Sequence, residues 1–225
     1  MMRILMSIVG VLAGAAAGAA LIFVNPLIGP ADGKLDDLDR ILTYELPASA
    51  LMLTHSRPLS VPAWPDGVEE LWERTVRTSA LGLVMLSSPA GEPAIASRVL
   101  VPSRRTELMT TGVVVDDFWL LTLPGKGSLY VLGESNVWPI AKDTLVSASL
   151  LQRPFQGPRS YVTTAGPAPD GRALVVGATG DFANREGRAV ERYRIGKFTR
   201  ERGFGDVSAE LRFALDPPSD PDGGV

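Results

Sequence analysis

The sequence predicts an all-β fold, an antiparallel barrel of about eight strands, preceded by an N-terminal transmembrane helix and a short helical, proline-rich segment. Three observations predict it. From Thr78 onward, short apolar runs are separated by turn residues such as Ser88-Pro89-Ala90-Gly91 and Pro124-Gly125-Lys126-Gly127, the texture of strands joined by tight connections. Glycine (23) and proline (18) are abundant in a chain of 225 residues, which favours many turns over a helical bundle. Ahead of this lies Ile4–Val24, 21 residues without a charge, and about 20 apolar residues suffice to span a bilayer core as a helix.

The elements follow in order. Residues 1–25 form the anchor, with Arg3 before the span and Asn25-Pro26 after it. The run is longer than the apolar region of about 7–15 residues in a cleaved signal peptide. Gly29-Pro30-Ala31 still offers small residues at a cleavage point, so a cleaved signal is the second reading. Arg3 on the cytoplasmic side sets the orientation: a single-pass inner-membrane protein with its C-terminal domain in the periplasm. Gly10, Gly14 and Gly18 repeat every four residues along one helix face, where another helix can approach closely. That face would serve self-association or docking onto other membrane subunits. An Ala-rich span of ordinary composition is the alternative.

Residues 26–77 read as a juxtamembrane helix and a connector. Leu35, Leu38, Ile41, Leu42 and Leu46 have helical spacing, predicting a helix over 35–46. Prolines 47, 58, 62 and 65 then enforce an extended path. Residues 68–77, acidic early and basic late, predict a second helix. His55, in the proline-bounded stretch between them, reads as a loop residue.

Residues 78–215 hold the barrel. Strands are predicted near 80–87, 94–101, 110–116, 118–123, 128–133, 145–151, 160–164, 173–176, 187–195 and 207–215. Short turns without intervening helices favour antiparallel pairing. In the strand from Gly187, Ala189, Glu191, Tyr193 and Ile195 share one face and Arg188, Val190, Arg192 and Arg194 the other. The arginine face belongs in water, which turns Glu191 inward. Residues 216–225, DPPSDPDGGV, read as a disordered tail.

Val175-Val176-Gly177-Ala178-Thr179-Gly180-Asp181-Phe182, followed by Gly187, resembles an element of the allene oxide cyclase and dirigent-protein barrels. Leu121-Thr122-Leu123-Pro124 and Gly127–Gly133 are similar to their preceding hairpin. The resemblance covers residues 112 to 215; Ala178 departs from the usual second glycine, and the insert 138–159 is long. It implies an eight-stranded barrel with an apolar cavity, commonly trimeric, in which some members cyclise or steer reactive intermediates. No catalytic residue of those families transfers here. On physical grounds, Gly177 and Gly180 suit positive φ in a tight connection, Phe182 suits a plug for the barrel end, and Gly187 relieves crowding.

Composition removes much chemistry. There is no cysteine and one histidine, which excludes disulfides, thiolate metal sites and thiol nucleophiles, and makes His-rich metal sites and Ser–His–Asp catalysis improbable. No metal or cofactor is implied. A net charge of −3 carries no nucleic-acid signature. Asp116 and Asp117, being adjacent, face opposite sides of a strand and form no dyad. Residues 185–202 hold seven basic and three acidic side chains, a solvated face or a strip for anionic headgroups. Glu191 is the candidate general acid or base, since burial raises a carboxyl pKa. Glu134, Asn136, Trp138 and Tyr193 are candidate ligand-binding residues. The expected function is binding of a small apolar or amphipathic molecule, with cofactor-free cyclase or isomerase activity open. The competing class is a non-enzymatic accessory or assembly subunit of a membrane protein complex.

Overall fold

The computed structural model describes residues 35–45, 51–55, 69–72, 79–108, 110–146, 152, 154–199 and 203–218, with the backbone alone for 51–55, 69–72 and 145–146. Twelve strands form one sheet. They are β1 (Arg40–Glu45), β2 (Leu51–His55), β3 (Glu69–Trp72), β4 (Ser79–Ser87), β5 (Pro93–Pro102), β6 (Val114–Leu123), β7 (Gly127–Asn136), β8 (Arg159–Val162), β9 (Thr164–Gly166), β10 (Ala173–Ala178), β11 (Gly187–Thr199) and β12 (Gly203–Leu215). Eight of these close into an antiparallel barrel in the order β1-β12-β11-β10-β7-β6-β5-β4, with β4 returning to β1.

Alternation explains why the barrel strands face as they do. Ala94, Ala96 and Arg98 of β5 are buried while Ile95 and Ser97 are exposed. Asp117, Trp119 and Leu121 of β6 point inward in the same way. A period of two places one set in the lumen and the other outside. The core is the inward set: Leu42, Tyr44, Leu121, Leu129, Val175 and Phe213, among others. Phe182 is buried among them, and the Arg40 guanidinium lies 5.6 Å from its ring centroid.

Two positions around the barrel are composite. β10 is short, so β8 continues beside β11, from Arg192↔Val162 to Ile195↔Arg159, while β9 pairs with β7. Thr163 links the two, receiving the Asn136 amide on its carbonyl at 2.7 Å and donating its own amide to the Glu191 carbonyl at 3.2 Å. The other composite position is the closure. β1 meets β4 at Thr43↔Ser87, and β2 meets β4 from Leu51↔Gly82 onward. Residues 83–86 of β4 lie between these two pairings.

Several expectations are corrected. Residues 40–45 are strand, not part of a helix over 35–46: Leu42 and Tyr44 are buried two apart, and all six residues pair with β12, from Arg40↔Phe213 to Glu45↔Ser208. A partner that far along the chain overrides a local leucine spacing. Residues 69–72 are strand β3, parallel to β2, rather than helix, and His55 ends β2 instead of lying in a loop. Residues 110–113 belong to a turn closed by the Glu107↔Gly112 bridge, and β6 runs unbroken through Asp116 and Asp117. Residues 142–146 form a π-helical turn after the short helix α1 (Trp138–Ala141), not the start of a strand. Of the two glycines expected at positive φ only Gly180 has it, at +63°; Gly177 is extended and follows a β-bulge at Val176. At Gly187 the expected crowding is present: an added Cβ would lie 2.1 Å from the Ala214 carbonyl oxygen.

The predicted membrane helix over 4–24, with Gly10, Gly14 and Gly18, lies outside the described residues. No helix among the described residues is long and apolar enough to cross a membrane.

Candidate functional site

The sheet brings three charged side chains, far apart in sequence, into one half of the lumen. Arg98 comes from β5, Asp117 from β6 and Glu191 from β11, each at an inward position of an alternating strand. They are 5%, 3% and 2% exposed. Arg98 donates Nε to Asp117 Oδ1 at 2.8 Å and also pairs Nη2 with Oδ2. On its other side Nη1 donates to Glu191 Oε1 at 2.9 Å and Nη2 to Oε2 at 2.6 Å. The planar guanidinium fork suits two carboxylates at once, as an ammonium would not.

Hydroxyl groups complete the cluster. Tyr44 donates to Glu191 Oε1, and Arg98 Nη1 also donates to the Tyr193 hydroxyl. Ser135 donates to Asp117 Oδ2 at 3.0 Å, and Thr163 to Glu191 Oε2 at 3.3 Å. The Trp119 ring centroid lies 4.4 Å from Arg98 Cζ, a cation–π contact in a desolvated setting. Tyr44 meets Trp119 edge-on at 5.8 Å. Among the described residues no buried side-chain nitrogen or oxygen lacks a partner.

One guanidinium faces two carboxyl groups, which sets the electrostatics. Burial pushes the Glu191 pKa up, against the lowering pull of Arg98, and Asp117 adds to the rise. Burial, with Glu191 beside it, holds the Tyr44 phenol well above its ordinary value, and burial likewise raises Tyr193. For Arg98, burial alone would lower the pKa, but Asp117 and Glu191 outweigh it and raise it. The arrangement is a cross-brace through β1, β5, β6, β7 and β11. As it stands, the oxygens of Glu191 are engaged in hydrogen bonding.

The other sequence candidates are divided between the lumen and the outside. Tyr193 is in the cluster. Glu134 projects from β7 outward and pairs with Arg105. Asn136 and Trp138 meet at the rim, where the Trp138 amide donates to Asn136 Oδ1 at 3.0 Å and Asn136 Nδ2 donates to the Thr111 carbonyl at 2.7 Å. Gly112 makes that contact feasible, since an added Cβ would lie 2.9 Å from both residues. Arg192 and Arg212 lie outside and both reach Glu210 at 2.8 Å. Arg98, Asp117 and Tyr44 were not singled out as site residues from sequence. The parity of Ala94-Ala96-Arg98 and Asp117-Trp119-Leu121 was the available signal.

A second feature lies at the closure. Where β1 and β4 diverge, a groove of about 610 Å³ opens. Leu83 and Met85 line one side and Thr43, Glu45 and Ser208 the other, with Tyr44 at the base of the same strand. No known protein family and no curated protein matches this chain.

Proposed function

We propose that the barrel binds a small amphipathic molecule in the groove between β1 and β4, at a membrane surface to which Ile4–Val24 tethers it. The two-sided lining carries this reading: aliphatic side chains from β4 face hydroxyls and a carboxylate from β1 and β12. A volume near 610 Å³ is within the roughly 300–1,000 Å³ of ordinary ligand sites. Glu191 accepts hydrogen bonds from Arg98, Tyr44 and Thr163, which favours binding over turnover. The allene oxide cyclase and dirigent resemblance suggests a cofactor-free cyclase or isomerase. That extension requires Tyr44 to release Glu191 when a ligand occupies the groove.

Native mass spectrometry of the full-length protein, extracted in mild detergent, tests the reading. The expected spectrum carries a small bound mass that disappears in Leu83→Asp. A spectrum with no small adduct but with other membrane subunits attached would overturn it in favour of an accessory or assembly subunit.

A further inference from the structure

The outer surface of the barrel is divided into two chemically distinct halves. β4, β5, β6, β7 and β10 are consecutive around the barrel. No outward position on them is charged within 81–87, 95–101, 118–122, 128–132 or 174–178. Arg98, the one charge in those ranges, points inward. Leu83 is 65% exposed, Met85 62% and Val176 56%. Met85 stands opposite Ile95 and Leu120 opposite Tyr130, so the exposed groups are neighbours. The remaining strands are different: Arg188, Arg192 and Arg194 project from β11, Glu210 and Arg212 from β12, and Glu45 from β1.

Geometry narrows what can cover the uncharged half. Five strands about 4.8 Å apart and five residues at about 3.4 Å give a patch roughly 20 Å wide and 17 Å tall, the size of the largest, often functional, patch of a typical monomer rather than of scattered single residues. Its height falls short of a hydrocarbon core of about 30 Å, and it covers one side only, so these strands do not cross a bilayer. The patch is convex. Fluid lipid moulds to such a curved surface without a complementary partner shape.

The chain's route allows this contact. Arg172, at the head of β10, donates Nη2 to the Asp36 carbonyl at 2.8 Å. That bond holds residues 35–39 beside the edge strand of the uncharged half. Residues 25–34 separate this point from the apolar run ending at Val24, and ten residues reach at most about 36 Å. A membrane holding that run therefore lies within reach of the β10 flank.

We propose that the uncharged outer half of the barrel rests on the lipid surface, with Leu83, Met85, Leu120 and Val176 at the acyl boundary and the β11–β12–β1 half in water. It is the barrel counterpart of an interfacial amphipathic helix. The inference rests on Ile4–Val24 being membrane-embedded, as the proposed function does, but it does not require the groove to hold a ligand.

Because the chain has no cysteine, single nitroxide labels can be placed cleanly on the full-length protein in phosphatidylcholine nanodiscs. Leu120→Cys and Val176→Cys probe the uncharged half away from the groove and Arg194→Cys the other. All three positions are exposed, and retained β circular dichroism verifies each fold. Collisions with oxygen, which concentrates in lipid, are expected to exceed those with a water-soluble nickel chelate several-fold at 120 and 176, with the reverse at 194. Nickel access at 120 and 176 equal to that at 194 would overturn the proposal by leaving the face in water. Exclusion of both agents there would overturn it in favour of a protein cover, and dipolar broadening between labels would identify that cover as a second copy. Native mass spectrometry for the groove ligand reads out separately, so failure of either idea is distinguishable from failure of the other.

Discussion

Arg98 and Glu191, 93 positions apart in the chain, meet inside the barrel through two hydrogen bonds, Nη1 to Oε1 at 2.9 Å and Nη2 to Oε2 at 2.6 Å. Their strands, β5 and β11, are not neighbours in the sheet; the pair spans the lumen. Opposite walls of the barrel are thus braced by a charge contact that neither strand pairing nor apolar packing supplies. A buried ion pair of this kind contributes little net stability against an apolar replacement, because desolvation offsets the attraction. Removing one partner is another matter, since the survivors keep their charge without its compensation.

Arg98→Ala is accordingly expected to destabilise the protein by about 3–5 kcal/mol, leaving Asp117 and Glu191 facing each other. Arg98→Lys should recover only part of the loss, because an ammonium cannot serve both carboxylates in the fork geometry. Urea unfolding followed by tryptophan fluorescence reads this directly, with Trp119 stacked on the guanidinium. Low millimolar methylguanidinium should restore stability to Arg98→Ala and leave the unsubstituted protein unchanged. Equal behaviour of the Lys and Ala variants, with no rescue, would count against the brace.

The legibility of this architecture in the sequence followed the reach of each signal. Strands β4 to β8 and β10 to β12 are visible because apolar alternation and Gly/Pro turns are local properties, whereas β9, only three residues long, is too short to show a period. The inward position of Glu191 followed from the arginines on the opposite face of its strand. The sequence predicts helix at β1 because its partner β12 lies beyond any sequence window, while Leu35, Leu38, Ile41 and Leu42 imitate a helical stripe. In the sequence Asp117 stands out only as the neighbour of Asp116. Its partnership with Arg98 arises from pairing in β5 and β6, where Leu100 stands opposite Asp117 and Arg98 opposite Trp119.

Tyr44→Phe isolates one donor of the cluster. It removes the hydroxyl that donates to Glu191 Oε1 but keeps the ring edge against Trp119. A buried hydrogen bond to a charged group contributes about 1.5–3 kcal/mol, and that loss is expected in urea unfolding. A change within about 0.5 kcal/mol, the scale of a neutral surface substitution, would show that Arg98 and Thr163 satisfy Glu191 without it.

The pH dependence of stability carries a distinct signature. The folded pKa of Glu191 is raised above 4.5, its ordinary value. Between that value and the raised one, the folded state binds more protons than the unfolded state. Stability from this group is therefore full below about pH 4.5 and is lost as pH rises through the folded pKa. Tyr44 and Tyr193, raised above 10.0, remove further stability above pH 10. Midpoint urea concentrations measured from pH 4 upward should show a falling contribution that Glu191→Gln abolishes. Parallel profiles for the two proteins would mean that Glu191 titrates as it does in the unfolded chain.

A last prediction concerns the turn entering β7. Gly127 has φ +134°, and a Cβ there would lie 2.0 Å from the Thr179 carbonyl oxygen. The Thr179 amide donates back to the Ser128 carbonyl at 2.8 Å, so the two segments are held together and cannot separate to make room. Gly91, with φ +81°, has nothing within 4 Å of its added Cβ. Gly91→Ala incurs backbone strain of about 1–2 kcal/mol, while Gly127→Ala, at φ +134°, adds a backbone collision to strain of about 1–3 kcal/mol. Gly127→Ala is expected to cost more than about 3 kcal/mol, and Gly91→Ala about 1–2 kcal/mol. Equal shifts in urea midpoint would show that the contact between the β6–β7 turn and the β10–β11 connection yields freely. That result would remove close packing as the reason for glycine at position 127.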